Sequence, residues 1–394
     1  MIPYGRHCIE DDDVRAVAEV LRGALLTQGP KAAELERMIQ QMTGARHAIV
    51  VANGTAALHL ACLAAEIGPG DTLATSPITF LASANCALYV GARPVFTDID
   101  CATLNMDPAA LQAAFAAAPL KAVVPVHFAG LPCDMETIGP AARRHGAVVI
   151  EDACHALGST YADGSPVGSC RHSDMTTFSF HPVKLIAAGE GGAITTNDST
   201  LYRRLQLLRN HGMTREAGEF RNREAAFAED GRPNPWYYEM QALGYNVRIT
   251  DIQCALAISQ FRKLDRFLAR RRDIARRYDE AFAGLPGLEL PQKAHRQRSA
   301  NHLYAVRIDY ARLGRTRAEV MLRLAAKGVG SQVHYIPVPD QPYYRDRGLG
   351  EGNWPQARAY YEQALTIPLY YGMSEEDIAL VIESVRDILA GGGA

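Results

Sequence analysis

The chain has 394 residues, 48% of them hydrophobic and 21% charged, which is long enough for two globular units and excludes a disordered or low-complexity protein. Lys and Arg number 41 against 43 Asp and Glu, a net charge of −2, so no broad basic surface exists for nucleic acid or an anionic membrane. No apolar run approaches the ~20 residues of a membrane span. The start, MIPYGRHCIEDDD, turns acidic where a signal peptide would be apolar, so export is not expected.

From residue 48 onward short apolar runs alternate with Ala- and Leu-rich amphipathic stretches. AIVVA (48–52) reads as a buried strand, and TAALHLACLAAEI (55–67) as the helix that follows it, closed by GPGD. Further strands are expected at 72–76, 94–99, 121–129, 147–153, 175–180 and 193–196. TFLASANCALYVG, PAALQAAFAAA and METIGPAARRHG supply the intervening helices. This βαβ alternation predicts an α/β fold with a mostly parallel sheet covered on both faces. Asp163-Gly164 is placed for a hairpin turn. Residues 210–246, charged and rich in Gly and Pro, read as a long functional excursion.

The pattern from Thr250 to about Gly284 predicts one long helix, with Leu264, Phe267, Leu268, Ile274, Tyr278 and Phe282 as its apolar stripe. The arginines at 270, 271, 272, 276 and 277 read as its solvated face, because acidic residues are interleaved. Beyond it, 302–309 and 331–335 read as strands, 315–328 as a helix closed by Gly, and 373–390 as a final helix with an acidic first turn. The predicted organisation is a large unit over 1–250 and a smaller α+β unit over 251–394. No internal repeat is visible, and the GGGA end is expected to fray. The eight cysteines contain no CxxC pair, which predicts reduced thiols in a cytoplasmic protein and no metal site.

Three clusters carry chemistry. Asn53-Gly54-Thr55 lies between a strand and a helix, where backbone N–H groups and the helix dipole favour a phosphate; a simple turn with a helix cap is the plainer reading. Glu151-Asp152-Ala153-Cys154-His155 ends a strand, where α/β folds bind ligands. A buried Asp152 needs a cation, and a protonated pyridine nitrogen would supply one, although a lone Asp there could also cap the next helix. The third cluster is Phe178-Ser179-Phe180-His181-Pro182-Val183-Lys184 with the Gly-rich turn at 188–192. A lysine just beyond a buried strand has its pKa lowered, which yields the neutral amine a Schiff base requires; an isolated lysine would be an exposed loop charge. Ser179 can add a phosphate hydroxyl.

The segments NGTAAL, SPITFLASANCAL, IEDACHALGS, FSFHPVK, GEGG and GYNVRITDIQCALAISQ together resemble the DegT/StrS family of sugar-nucleotide aminotransferases. The resemblance runs from LTQG at 26–29 to PLYY near 370. It implies the aspartate-aminotransferase-like fold (fold type I) and the cofactor pyridoxal 5'-phosphate. Position by position, it implies that Lys184 is the Schiff-base lysine and Asp152 the partner of the pyridine nitrogen. Gly54, Thr55 and Ser179 match phosphate-binding positions, Phe80 an aromatic at the ring, and His155 a residue beside the ring and its phenolic oxygen. Asn246 matches a residue that reaches the phosphate from the other subunit of a homodimer.

Within the family, LTQGP, FSFHPVK, NHGM, ANHLY and GSQVHYIPV resemble the PseC-type subgroup. That likeness implies glutamate-dependent amination at C4 of a UDP-linked 4-keto-6-deoxy-N-acetylhexosamine, in pseudaminic acid synthesis. Arg248, His334 and Tyr335 fall where the subgroup holds its substrate. Leu185-Ile186-Ala187-Ala188 departs from the family, whose members commonly carry Thr-Thr there. The alternatives are another keto sugar nucleotide (dTDP or GDP) or a cyclitol ketone, and, from a different class, a cofactor-binding regulatory homologue without turnover.

Overall fold

The computed structural model describes residues 1–390, and the Gly-rich end expected to fray lies outside them. Two helices, α1 (Asp11–Arg22) and α2 (Pro30–Thr43), precede the first strand. A seven-stranded sheet follows, built from β1 (His47–Val51), β2 (Thr72–Thr75), β3 (Arg93–Phe96), β4 (Ala122–Val124), β5 (Val148–Asp152), β6 (Met175–Ser179) and β7 (Gly192–Thr196). Its order is β1-β7-β6-β5-β4-β2-β3. All pairings are parallel except those of β7, which runs antiparallel to both β1 and β6. The expected mostly parallel α/β fold is therefore present.

Successive residues of one strand feed opposite cores. Ile49 and Val51 pack on the side of α3 (Gly54–Ala64), α4 (Ala82–Tyr89) and α7 (Ser199–Arg209). Ala48 and Val50 pack on the side of α2, α5 (Pro108–Ala117) and α6 (Met135–Arg144). Burial on both faces is why these strands read as continuous apolar runs. The run at 121–129 yields only three strand residues, because the chain turns through Phe128–Gly130 with Ala129 at φ +57°. The turn at Asp163-Gly164 is present, with Gly164 at φ +82° and a single bridge between Thr160 and Pro166.

The excursion at 210–246 holds a 3-10 turn at Ala217–Glu219, a short helix, α8 (Arg223–Ala226), and a two-stranded ribbon, β8 (Met213–Thr214) with β9 (Glu239–Met240). The long helix expected from 250 to 284 is two helices. α9 (Asp251–Phe261) starts on a capping box formed by Thr250 and Gln253, and α10 (Leu264–Ala281) follows after a break at Arg262-Lys263. At the break Lys263 Nζ donates to Asp12 Oδ1 and Asp13 Oδ2, both at 2.8 Å. α9 stacks on α1 and α2, whereas α10 crosses from Leu264 and Leu268 in one core to Ile274, Tyr278 and Phe282 in another.

The arginine run is not one solvated face. Arg271 lies on the apolar stripe and is buried, its Nη1 donating to the carbonyls of Asn301, His302 and Leu369 at 3.3, 3.2 and 2.9 Å. Arg270, Arg276 and Arg277 pair with acidic groups at the surface, as expected.

The C-terminal part has a three-stranded antiparallel sheet, β10 (Leu288–Glu289), β11 (Tyr304–Ile308) and β12 (Ala364–Ile367). Around it lie α11 (Tyr310–Leu313), α12 (Arg317–Ala326), α13 (Pro342–Arg345), α14 (Pro355–Gln363) and α15 (Glu375–Ala390). The strand expected at 331–335 is absent: only Gln332 bridges to Thr366, after which the chain leaves the sheet edge. A further apolar cluster joins Ile78, Phe96 and Phe128 to Leu303, Val338 and Trp354, tying the two parts together.

Candidate active site

A cavity of about 710 Å³ opens where β5 and β6 end and α3 begins. Its floor depends on glycine. A Cβ at Gly54 would lie 2.9 Å from Ser179 Cβ and 3.1 Å from Cys154 Sγ, and one at Gly192 would lie 2.5 Å from the Asn53 carbonyl. The turn at 53–55 therefore sits directly on β6 and β7, with the first turn of α3 at the cavity. Asn53 is a helix cap, its Oδ1 accepting from Ala56 N–H at 2.8 Å. The plain and functional readings of this motif hold together. Thr55 and Ser179 also line the cavity.

Asp152 is the last residue of β5 and is only 6% exposed. Ser83 Oγ donates to its Oδ2 at 2.5 Å, and Cys154 N–H to its Oδ1 at 3.1 Å. Thr79 lies 2.7 Å from Ser83, extending the chain of hydroxyls. On the neighbouring position Glu151 is wholly buried and accepts from Tyr161 at 2.7 Å, Thr176 at 3.0 Å and Ser173. His127 Nε2 stands 2.7 Å from the same carboxylate, and Cys133 N–H donates to His127 Nδ1 at 3.1 Å. With Nδ1 accepting, Nε2 carries the proton and donates to Glu151. These bonds fix the end of β5 and so the position of Asp152.

Lys184 reaches the cavity from the turn after β6, and its amine has no hydrogen-bond partner among the described residues. Burial lowers its pKa, while the charges of Cys154 and Asp152 oppose that shift. His155 is 5% exposed, with Nε2 3.3 Å from the Tyr335 hydroxyl and a buried Nδ1 that has no partner. The His302 ring lies 4.5 Å from it, tilted by 44°, and also has an unpartnered Nδ1. Burial first, then the nearby Lys184 charge, keeps His155 uncharged well below the usual histidine range. His334, bonded through Nδ1 to Thr366 at 2.9 Å, is pushed down to about 3 by burial and Lys184.

One cavity thus brings together Gly54, Thr55, Phe80, Asp152, His155, Ser179, Lys184, His334 and Tyr335. Asn246 and Arg248 do not line it. Asn246 is exposed, and Arg248 donates to Asn210 Oδ1 on the strand-like bridge that pairs Asn210 with Asn246. Sequence reasoning assigns no role to Ser83, His302 or Tyr4, all of which bear on the site; Ser83 and His302 stand inside quoted motifs, whereas nothing around Tyr4 marks it. Leu185, Ile186, Ala187 and Ala188 are buried and outside the lining, so the departure at 185–188 lies in the core rather than at the cavity wall.

The model of the DegT/DnrJ/EryC1/StrS aminotransferase family matches residues 7–386. The chain belongs to this family. It is similar to the spore coat polysaccharide biosynthesis protein SpsC of Bacillus subtilis, at 42% identity over 99% of this chain and 97% of the relative. Among solved structures, it resembles Helicobacter pylori PseC, an aminotransferase involved in the biosynthesis of pseudoaminic acid, with a TM-score of 0.89 at 28% identity and 99% coverage of both chains. It also resembles the pyridoxal-phosphate form of the putative sugar aminotransferase Spr1654 from Streptococcus pneumoniae, with a TM-score of 0.88 at 31% identity and full coverage of both.

The DegT-family chain is a fold-type I, pyridoxal-phosphate-dependent sugar aminotransferase. Its residues fit that cofactor. The glycine-cut floor leaves the α3 N-terminus bare for a phosphate, Asp152 offers a fixed carboxylate to a ring nitrogen, and the buried Nδ1 of His155 lacks a partner. No helix of the described residues is long and apolar enough to cross a membrane.

Proposed function

We propose that this aminotransferase converts a UDP-linked 4-keto-6-deoxy-N-acetylhexosamine to its 4-amino sugar, taking nitrogen from L-glutamate and releasing 2-oxoglutarate, for pseudaminic acid. The observation that carries the reading is the unpartnered Lys184 amine beside Asp152 and His155 in a cavity large enough for a cofactor and a hexose. The likeness to H. pylori PseC supports the sugar, since that protein acts in pseudoaminic acid biosynthesis. A second reading, a keto sugar destined for another surface polysaccharide, draws on the likeness to SpsC.

The bound cofactor supplies an aldehyde for Lys184 and a ring that accepts an electron pair from the amino-donor carbon. Lys184 Nζ, its pKa lowered by burial, takes the α-proton of the donor and later delivers one to the sugar carbon. Asp152, held by Ser83 and Cys154, keeps a proton on the ring nitrogen. The α3 N-terminus, Thr55 and Ser179 would hold the cofactor phosphate, and Phe80 would offer an aromatic face to the ring. Neutral His155 would serve the ring, and His334 with Tyr335, on the same cavity wall, would meet the sugar.

Among the described residues, no arginine lines the cavity, so one chain offers little to a sugar nucleotide's diphosphate. A homodimer in which the exposed Asn246 and the adjacent Arg248 serve the neighbouring site would supply it. The division of labour we favour is a cofactor unit to about residue 250 and a smaller unit carrying the wall at His334-Tyr335. Eight unpaired cysteines support a reducing, cytoplasmic setting. The test is turnover with L-glutamate across a panel of UDP, dTDP and GDP keto sugars and a cyclitol ketone. Turnover only with a non-UDP acceptor overturns the assignment.

A further inference from the structure

The first residues of the chain run along the C-terminal part before reaching α1. Ile2 N–H donates to the Gly328 carbonyl at 2.7 Å, Gly330 N–H to the Ile2 carbonyl at 2.8 Å, and Leu369 N–H to the Tyr4 carbonyl at 3.2 Å. A Cβ at Gly330 would lie 2.8 Å from the Ile2 carbonyl, so this close approach requires glycine. Ile2 is buried in the C-terminal core. On the other flank Gln260 holds the Cys8 carbonyl at 2.9 Å, and Lys263 holds Asp12 and Asp13. Tyr4 is therefore pinned from both sides, within a segment that bridges the two parts of the molecule.

Its side chain lines the cavity. The ring lies 5.3 Å from that of His334 and packs in the cluster that holds Val333 and Tyr335, while the next residue, Gly5, faces Val183 beside Lys184. The groups that fit the cofactor come from β1, β5, β6 and their turns, and Tyr4 makes no hydrogen bond to any of them. Its hydroxyl has no protein partner among the described residues. A half-buried aromatic face with a free hydroxyl is a surface suited to a deoxyhexose, whose C–H face packs on a ring and whose polar groups need hydrogen bonds.

We propose that Tyr4 is a specificity-determining residue of the sugar site, its ring a platform for the keto hexose and its hydroxyl a hydrogen-bond partner of the sugar. The inference rests on the keto-sugar reading above. The holoenzyme separates the two, because glutamate and keto sugar act in different half-reactions, each followed by the change in cofactor absorbance. Tyr4→Ala is expected to lower the efficiency of the sugar half-reaction about tenfold or more relative to the glutamate half-reaction, mainly through KM. Tyr4→Phe keeps the platform and is expected to fall between that variant and the parent. Equal loss in both half-reactions would mark a structural role and overturn the assignment, as would a Tyr4→Ala enzyme matching the parent with sugar. A parent enzyme that accepts glutamate but no nucleotide keto sugar overturns the keto-sugar reading instead, and the Tyr4 proposal with it.

Discussion

Burial opposes the charge of Lys184, so its reactivity and its cost to the fold have one origin. Lys184→Ala is expected to lower turnover by at least ~10³-fold without lowering the melting temperature of the apoprotein, read by steady-state assay and melting. Survival of near-parental activity would remove it from the chemistry. Ser83 acts one step back. Ser83→Ala removes the 2.5 Å bond to Asp152, and a lost hydrogen bond to a charged group costs about 1.5–3 kcal/mol, so kcat is expected to fall roughly tenfold to a hundredfold. An unchanged kcat would show that Cys154 N–H alone suffices to hold Asp152.

The cavity histidines make apoprotein stability depend on pH. His155, His302 and His334 all have folded pKa values below the ordinary 6.5, with His334 at about 3. Well above pH 6.5 folded and unfolded states both leave these sites essentially unprotonated. Below it the unfolded chain takes up protons that the folded one refuses, so stability falls as pH falls toward the folded values. The limiting slope is about 1.4 kcal/mol per pH unit for each histidine. Melting of the apoprotein between pH 7.5 and 5 is expected to show this decline, and His302→Gln to make it shallower. An identical slope in that variant would exclude His302 as a contributor.

At the scale of elements, the break between α9 and α10 shows where sequence periodicity stops informing. The apolar stripe from Leu264 to Phe282 is real and buried, and it reads as a continuation of α9. At the interruption stands Lys263, paired with Asp12 and Asp13 some 250 residues earlier in the chain. Asp13 is wholly buried, so Lys263→Met would strand a carboxylate and is expected to cost about 3–5 kcal/mol, seen as a lower melting temperature. No drop would mean that Gln260 Nε2 and the Glu10 N–H, which donate to Asp13 Oδ2 at 2.8 and 2.9 Å, are enough to hold it. The sheet strands were legible because burial on both faces makes each a continuous apolar run. Residues 331–335 misled because Val333 and Tyr335 alternate like a strand yet pack into the cavity wall. Arg271 was misplaced because a guanidinium satisfied only by carbonyls has no pattern in sequence. Lys184 and Asp152 were legible through local motifs, whereas Tyr4 enters the site by chain path alone.

For the whole molecule, the proposed sharing of sites between subunits has a direct test. If the protein is such a dimer, Lys184→Ala and Asn246→Asp are each expected to impair their own homodimer. Mixed dimers formed by unfolding and refolding the two together would hold one site with an intact lysine and an intact partner asparagine. Recovery of about a quarter of parental activity is the expected result. No recovery above the separate variants would place Asn246 in the same site as its own Lys184, or in none.

The reversed strand β7 sets the order in which this protein can be completed during synthesis. Val51 pairs with Gly192, so β1 has no neighbour in the sheet until about 140 further residues have left the ribosome. At ~5–20 residues per second that wait is roughly 7–30 s, during which an apolar strand edge stands open to chaperones or to misassembly. The floor under Asn53-Gly54-Thr55 exists only once Gly192 has slid beneath it. Cofactor capture is therefore a late event, and it reports that the sheet has closed.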